Sequence, residues 1–371
     1  MADSKHIGPM TRALELARRG WGDTHPNPMV GAVVVEHGEI VAEGWHQTAG
    51  QDHAEIAAIK ALGREPGEDA TLYVTLEPCS TSGRTGACTD AIIKHGFKHV
   101  VIGAIDPNPN HAGHGIKVLE AAGIEVTTGV LEEACSDLNL IFNHWIVKRT
   151  PFIAGKIATT IDGKVATRTG HSKWITGETA RADVHRWRRL FPAIACGNAT
   201  ALADDPAMTA RIKGEDIWCP RRFIFDRGLD TLRNPKLQVF TDAFREKTTL
   251  VTSIEQSNAA LERAESLGIE IWALPTDTRA WFFDAFLKRC ASIGITGVYV
   301  EGGANILSSM LDNQILDYLF AYRAPKLLAD IKAPPCFIGQ NIETMNSAFS
   351  LKNVKHATLE DDQLMRGFIS K

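Results

Sequence analysis

Several features that would send this 371-residue chain to a membrane, the cell exterior or a nucleic acid are missing. No uninterrupted run reaches the roughly 18 apolar residues that a membrane-crossing helix needs. The first ten residues contain no apolar segment of the kind a secretory signal carries, so a cytoplasmic protein is expected. Lys and Arg form no block. The densest basic stretch, Arg186-Trp187-Arg188-Arg189, lies within an amphipathic helical pattern, and the net charge is −4, which argues against a nucleic-acid surface. Seven cysteines is an odd count, which fits free thiols and a metal site in a reducing compartment better than a disulfide framework. G-x-G-x-x-G is absent, so no conventional dinucleotide fingerprint is available.

What remains is globular: 44% hydrophobic and 23% charged residues. The length predicts two domains. In the first half, a helix over 10–20 precedes a hairpin of 29–35 and 39–44. Helices over 53–62, 88–95 and 116–122 alternate with strands over 71–76, 99–102 and 124–127, and one long helix covers 131–147. A boundary falls at Lys148-Arg149-Thr150-Pro151, giving domains 1–147 and 151–371. The second half restarts with a strand over 152–158 and a helix over 178–190. Strands follow over 193–196, 222–226, 249–252, 270–273, 297–301 and 317–323. The alternation predicts two α/β domains. The polar tail after Asn346 shows no clear element, and by themselves Trp174 reads as core and Asp204-Asp205 as a helix-ending turn.

The chemistry concentrates in His53-Ala54-Glu55, Pro78-Cys79 and Cys88. One imidazole and two thiols make three zinc ligands, which leaves the fourth tetrahedral position open to water. Zinc lowers the pKa of such a water from about 15.7 to about 7. Glu55 is not needed as a ligand and is placed to move protons between water, a ring nitrogen and a leaving amine. Cys88 opens a helix, whose dipole favours the thiolate. Hydrolytic deaminases usually close this pattern with P-C-x-x-C. Here Ser-Thr-Ser-Gly-Arg-Thr-Gly-Ala separates the cysteines. A loop with Arg84 at the mouth of the site suits a phosphorylated small molecule. In the second half, a buried strand ends at Glu301-Gly302-Gly303 before a helix, an arrangement that lets backbone N–H groups approach an anion.

The stretches around His25-Pro-Asn27-Pro-Met-Val-Gly31, Gly44-Trp-His46, His53-Ala-Glu55, Thr75-Leu-Glu-Pro-Cys79, Gly83-Arg-Thr85, Cys88 and Asp106-Pro-Asn108-Pro resemble the bifunctional riboflavin-biosynthesis deaminase/reductase family. So do Lys156–Lys164, Ser172–Gly177, Asp204–Arg211, residues 222–226 and Glu301-Gly-Gly303. The resemblance implies a cytidine-deaminase-like α/β/α sandwich followed by a dihydrofolate-reductase-like α/β domain. It implies zinc and NADPH as cofactors, a phosphorylated pyrimidine substrate, and a homodimer through the reductase domain. It makes Asn27, His46, Arg84, Asp106 and Asn108 substrate contacts of the deaminase. Ser172, Arg188, Met208, Arg211 and Glu301 become substrate contacts of the reductase. Ala158, Trp174, Thr200, Asp204 and Gly303 would lie near NADPH, with Lys156 and Asp162 in support. The family usually has His followed by His or Tyr where this chain has Thr81-Ser82, and Pro-Pro where it has Gly86-Ala87. A single retained activity, with the other domain a scaffold, is the alternative.

Overall fold

Residues 4–81, 86–109, 111–253, 258–275, 279–339 and 342–370 are described by the computed structural model. The chain divides into two units, Met1–Arg149 and Thr150–Lys371.

In the first unit the elements run α1 (Ile7–Ala17), β1 (Gly31–Glu36), β2 (Glu39–Trp45), α2 (Ala54–Leu62), β3 (Thr71–Leu76), α3 (Cys88–Lys94), β4 (His99–Ala104), α4 (His114–Ala121), β5 (Glu125–Thr128), α5 (Glu132–Leu138) and α6 (Leu140–Lys148). The sheet order is β2-β1-β3-β4-β5. Strand β1 is antiparallel to both neighbours, and β3, β4 and β5 are mutually parallel. All of β1 is buried, as its Val33-Val34-Val35 run requires of a strand covered on both faces. Two glycines show how that covering is achieved. A Cβ on Gly31 would lie 2.0 Å from the Ala13 carbonyl oxygen of α1, and one on Gly44 would lie 2.3 Å from the Ala58 nitrogen of α2. Ala32 pairs with Gly44, so Gly31 and Gly44 face opposite sides of the sheet, and the two helices form its two outer layers.

The helix expected over 131–147 is two helices. The break falls at Asn139, whose side-chain oxygen accepts the Met29 N–H at 2.8 Å while its amide donates to the Met29 carbonyl at 2.9 Å. That buried amide replaces a helical neighbour with a strand-like clamp on the segment before β1, which local periodicity cannot reveal.

The second unit continues with β6 (Phe152–Thr159), α7 (Glu178–Leu190), β7 (Ala193–Gly197), α8 (Asn198–Asp204), β8 (Arg221–Phe225), α9 (Gln238–Thr241), β9 (Thr248–Ser253), α10 (Asn258–Ser266), β10 (Glu270–Leu274), α11 (Arg279–Ser292), β11 (Gly297–Glu301), α12 (Ala304–Asp312), β12 (Tyr318–Arg323), β13 (Ser350–Leu359) and β14 (Asp362–Ser370). Among the described residues the order is β10-β9-β8-β7-β11-β6-β12-β14-β13. Strands β10 to β12 are parallel, and β14 and β13 extend the sheet antiparallel. Strands β7, β8 and β9 each feed two cores by their period of two. Phe223 and Phe225 join Ile153, Val251, Trp272 and Phe286 on one face, while Ile224 joins Ile194, Cys196 and Leu250 on the other. The β13–β14 hairpin had no counterpart in the sequence reading. Most of β13 is exposed and reads Lys-Asn-Val-Lys-His at its centre, so no apolar alternation marks it.

Candidate functional site

The carboxyl ends of β3 and β4 bring the first site together. Strand β3 runs on through Glu77-Pro78 to Cys79, β4 leads to Asp106, and His53 is the N-cap residue of α2. His53 Nδ1 stands 3.2 Å from Cys88 Sγ and 3.6 Å from Cys79 Sγ, and the three ligand atoms lie within 4.8 Å of one another. Zinc bonds of about 2.0 Å to nitrogen and about 2.3 Å to sulfur, at tetrahedral angles, place ligand atoms about 3.5–3.8 Å apart. The donor set and its spacing therefore fit zinc. The backbone N–H of Cys88 points at Cys79 Sγ, 3.4 Å away, and Thr89 N–H donates to the Cys79 carbonyl, so the start of α3 carries both sulfurs as one piece. The Cys88 thiol, with His53 helping against the cost of burial, holds Cys79 down at about 4, ready as thiolate.

Glu55 sits in the first turn of α2, 3% exposed, beside both sulfurs. Burial pushes its carboxyl up to about 7, the range in which a carboxyl both takes and gives a proton near neutral pH. His46 is ordered from both sides. Its Nδ1 lies 2.9 Å from the Asp52 carbonyl oxygen, so it carries the proton, and its Nε2 accepts from Asn27 Nδ2 at 3.2 Å. That bond fixes the orientation of the Asn27 amide. Burial lowers the His46 pKa, in keeping with the neutral ring, which meets the His53 ring edge-on at 5.6 Å. Asp106 Oδ1 accepts the Asn108 N–H at 2.9 Å, and burial raises the Asp106 carboxyl. Arg84 and Ser82 lie outside the described residues; Thr81 is exposed.

In the second unit, Glu301 at the end of β11 holds Arg188 of α7 through both carboxylate oxygens, with Lys156 of β6 3.8 Å away. Burial opposes the Glu301 charge, but Arg188 and Lys156 overcome it and hold the carboxyl near 2. Burial lowers the Lys156 ammonium against the pull of Glu301. Arg188 also donates to the Thr209 carbonyl at 2.9 Å, and Arg211 donates to the Thr209 hydroxyl at 2.8 Å. Met208, buried and in the left-handed backbone region at φ 52°, stands between them in sequence. Ala158 lies two residues beyond Lys156 on the same strand, hence on the same face. The Thr200 hydroxyl of α8 accepts the Gly303 N–H at 3.1 Å, at the N-cap of α12. Trp174 is 63% exposed, not core; its ring lies under Arg181, and its carbonyl accepts from Lys326. Asp204 closes α8, as the turn reading expected. Asp162 accepts from Thr160 and from the N–H groups of Leu328 and Ala329, holding two loops together. Ser172, half-buried, is not joined to the Glu301 cluster by a hydrogen bond among the described residues.

Three residues escaped sequence reasoning. Asn139 clamps Met29, next to the Asn27 segment. Glu77 gathers four backbone N–H groups. His185 accepts the Arg211 N–H at 3.2 Å and lies 3.5 Å from Arg188. Only His185 had a local signal, its place three residues before Arg188 on one helix.

Fold and site together define a hydrolytic zinc deaminase joined in one chain to a parallel-sheet reductase. The cytidine and deoxycytidylate deaminase zinc-binding region matches residues 3–104, and the RibD C-terminal domain matches 151–365. The riboflavin biosynthesis protein RibD of Actinobacillus pleuropneumoniae is 38% identical over 356 residues, 96% of this chain and 93% of that protein. Its counterpart in Bacillus amyloliquefaciens is 41% identical over 336 residues, 91% of this chain and 89% of the relative. Among solved structures, a diaminohydroxyphosphoribosylaminopyrimidine deaminase/5-amino-6-(5-phosphoribosylamino)uracil reductase from Thermotoga maritima has TM-score 0.80 at 34% identity, covering 99% of this chain and 100% of that one. Acinetobacter baumannii RibD has TM-score 0.80 at 31% identity, covering 99% of both chains. The chain belongs to the family of bifunctional riboflavin-biosynthesis deaminase/reductases. It is an enzyme with a zinc-dependent deaminase domain and an NADPH-dependent reductase domain.

Proposed function

We propose that residues 1–147 deaminate 2,5-diamino-6-ribosylamino-4(3H)-pyrimidinone 5′-phosphate with release of ammonia, and that residues 151–371 then reduce the ribosyl group. The final product is 5-amino-6-(5-phosphoribitylamino)uracil. The observation that carries this is the convergence of His53 Nδ1 and the Cys79 and Cys88 sulfurs beside a buried Glu55, in a chain that matches bifunctional relatives along most of its length.

His53, Cys79 and Cys88 would hold the zinc. When bound, zinc supplies Lewis acidity that makes water nucleophilic near neutral pH. Glu55 takes a proton from the attacking water on its carboxylate and passes it to the ring nitrogen; it then takes the second proton from the hydroxyl added to the ring carbon and delivers it to the departing amine as the C–N bond breaks. Asn27 offers its oriented side-chain oxygen to an N–H on the ring edge, with His46 fixing that orientation. Asp106 and Asn108 contact the substrate from the loop after β4, and Arg84 meets the phosphate.

In the reductase, NADPH when bound would supply a hydride for ribose C1′; the protein's work is placement and exclusion of water. Ser172, Arg188, Met208, Arg211 and Glu301 hold the sugar phosphate. Ala158, Trp174, Thr200, Asp204 and Gly303 hold the cofactor, and Lys156 and Asp162 support them. Arg211 suits the phosphate dianion, while Arg188 is already paired with Glu301. The protein works in the cytoplasm on small molecules, as a homodimer through residues 151–371. No described helix is long and apolar enough to cross a membrane.

Glu55→Gln tests the deaminase reading. It keeps shape and removes the proton carrier, so the variant should retain about one zinc per chain and release no ammonia. Normal ammonia release by that variant would refute the role given to Glu55.

A further inference from the structure

Glu77 lies two residues before Cys79, is 6% exposed, and is not used by the chemistry above. Its main chain prolongs β3, donating to the Ala104 carbonyl at the end of β4. Its carboxylate turns into the loop that follows β4. Oε2 accepts from the N–H of Asp106 at 3.1 Å and of Gly113 at 3.0 Å. Oε1 accepts from Gly115 at 2.8 Å and Ile116 at 3.4 Å. Both ends of the loop therefore close on one side chain, together with the first turn of α4. The loop is packed to match: a Cβ on Gly115 would sit 2.2 Å from the Pro78 carbonyl oxygen and 3.2 Å from Glu77 Oε1. Between these anchors the loop carries Asp106 and Asn108. Their internal bonds, Asn108 N–H to Asp106 Oδ1 and the N–H groups of His111 and Ala112 to the Asn108 carbonyl, set its shape.

We propose that Glu77 is a positioning residue of the deaminase: it locks the Asp106–Asn108 loop onto the strand end that carries Cys79, and so sets the distance between the metal ligands and the groups that hold the pyrimidine. The inference rests on the reading of Asp106 and Asn108 as substrate contacts. A carboxylate suits the task because it has two accepting oxygens and four N–H donors converge on it. A glutamine in its place has one accepting oxygen and presents an NH₂ group to N–H donors, so half of the lock opposes itself. The effect is local to substrate placement. His53, Cys79 and Cys88 keep their mutual bonds, and Glu55 is on a different element.

The test is Glu77→Gln in the full-length zinc-loaded enzyme, with four readouts: zinc content, NADPH oxidation with the deaminated substrate, deaminase KM and kcat, and amide exchange across residues 105–118. The expected result is unchanged zinc and NADPH oxidation, faster exchange in 105–118, and a KM raised at least about tenfold, equivalent to about 1.4 kcal/mol, with kcat changed less. Unchanged exchange in that segment overturns the proposal, and so does loss of zinc, which would put Glu77 in support of the metal instead. Faster exchange with wild-type KM would leave the lock intact as structure but overturn the substrate-contact reading beneath it. Asn108→Ala separates the two: it should raise KM if Asn108 holds the substrate, and a wild-type KM in that variant as well overturns the contact reading rather than the lock. Should Glu77→Gln fail to fold, Gly115→Ala asks the same question with Glu77 in place. Its new methyl must push the loop from Pro78, giving the same exchange and KM changes if the proposal holds and neither if it does not.

Discussion

Replacing Glu301 by Gln should unfasten the reductase site while leaving the deaminase untouched. Glu301 is the carboxylate that both Arg188 and Lys156 face, and the side chains are 16%, 14% and 19% exposed. Gln keeps the volume but leaves two largely buried cations close together. Breaking a buried pair from one side costs about 3–5 kcal/mol. Because these groups retain some solvent contact, the lower end, about 3 kcal/mol, is the expectation. For a unit of this size each kcal/mol lowers the melting midpoint by about 2–4 °C, so the reductase midpoint should fall by about 6–12 °C. The assay heats the enzyme and follows residual NADPH oxidation and residual ammonia release separately; only the first should shift. Arg188→Met combined with Glu301→Leu removes two of the three charges, leaving only Lys156, and should regain part of the lost stability without regaining reduction. A Glu301→Gln protein that melts at the wild-type midpoint and oxidises NADPH normally would refute the reasoning. So would a double variant no more stable than the single one.

His185 gives a pH prediction. Burial, with Arg188 and Arg211 adding to it, lowers its pKa to about 4 from 6.5. Between those values the unfolded chain binds the proton that the folded ring lacks, so stability falls as pH drops from 6.5 toward 4. His185→Gln keeps an acceptor for the Arg211 N–H and should flatten that part of the stability profile, measured by urea unfolding across pH 4–7. Asn139→Ala strips the Met29 N–H and carbonyl of their partners. It should destabilise the first unit by about 2 kcal/mol, read as earlier loss of ammonia release on heating, with NADPH oxidation unaffected.

Much of the architecture was written in local patterns. Strand β3 and helix α7 begin and end where the sequence pattern put them, because β3 is one continuous buried run and α7 buries Ala180, Val184 and Trp187 at helical spacing. The metal triad was legible because its residue types are scarce and each falls at an element end. Features created by distant partners were not legible. Asn139 breaks a helix for the sake of a residue 110 positions away, and Glu77 binds N–H groups up to 39 positions on. Trp174 looked like core because tryptophan usually is, yet it lies exposed beneath Arg181. The β13–β14 hairpin was hidden because β13, an edge strand with both faces largely in solvent, needs no apolar alternation.

The central claim is two consecutive reactions on one chain, and product identity tests it most directly. The purified zinc-loaded enzyme is given the diaminopyrimidinone ribosyl phosphate, with and without NADPH, and the products are weighed by mass spectrometry. Without NADPH the account predicts the deaminated ribosyl compound and ammonia. With NADPH it predicts the ribitylamino product, two hydrogens heavier, with matching cofactor oxidation. Recovery of the unchanged diamino compound, or of a deaminated product that NADPH leaves at the ribosyl stage, would contradict it.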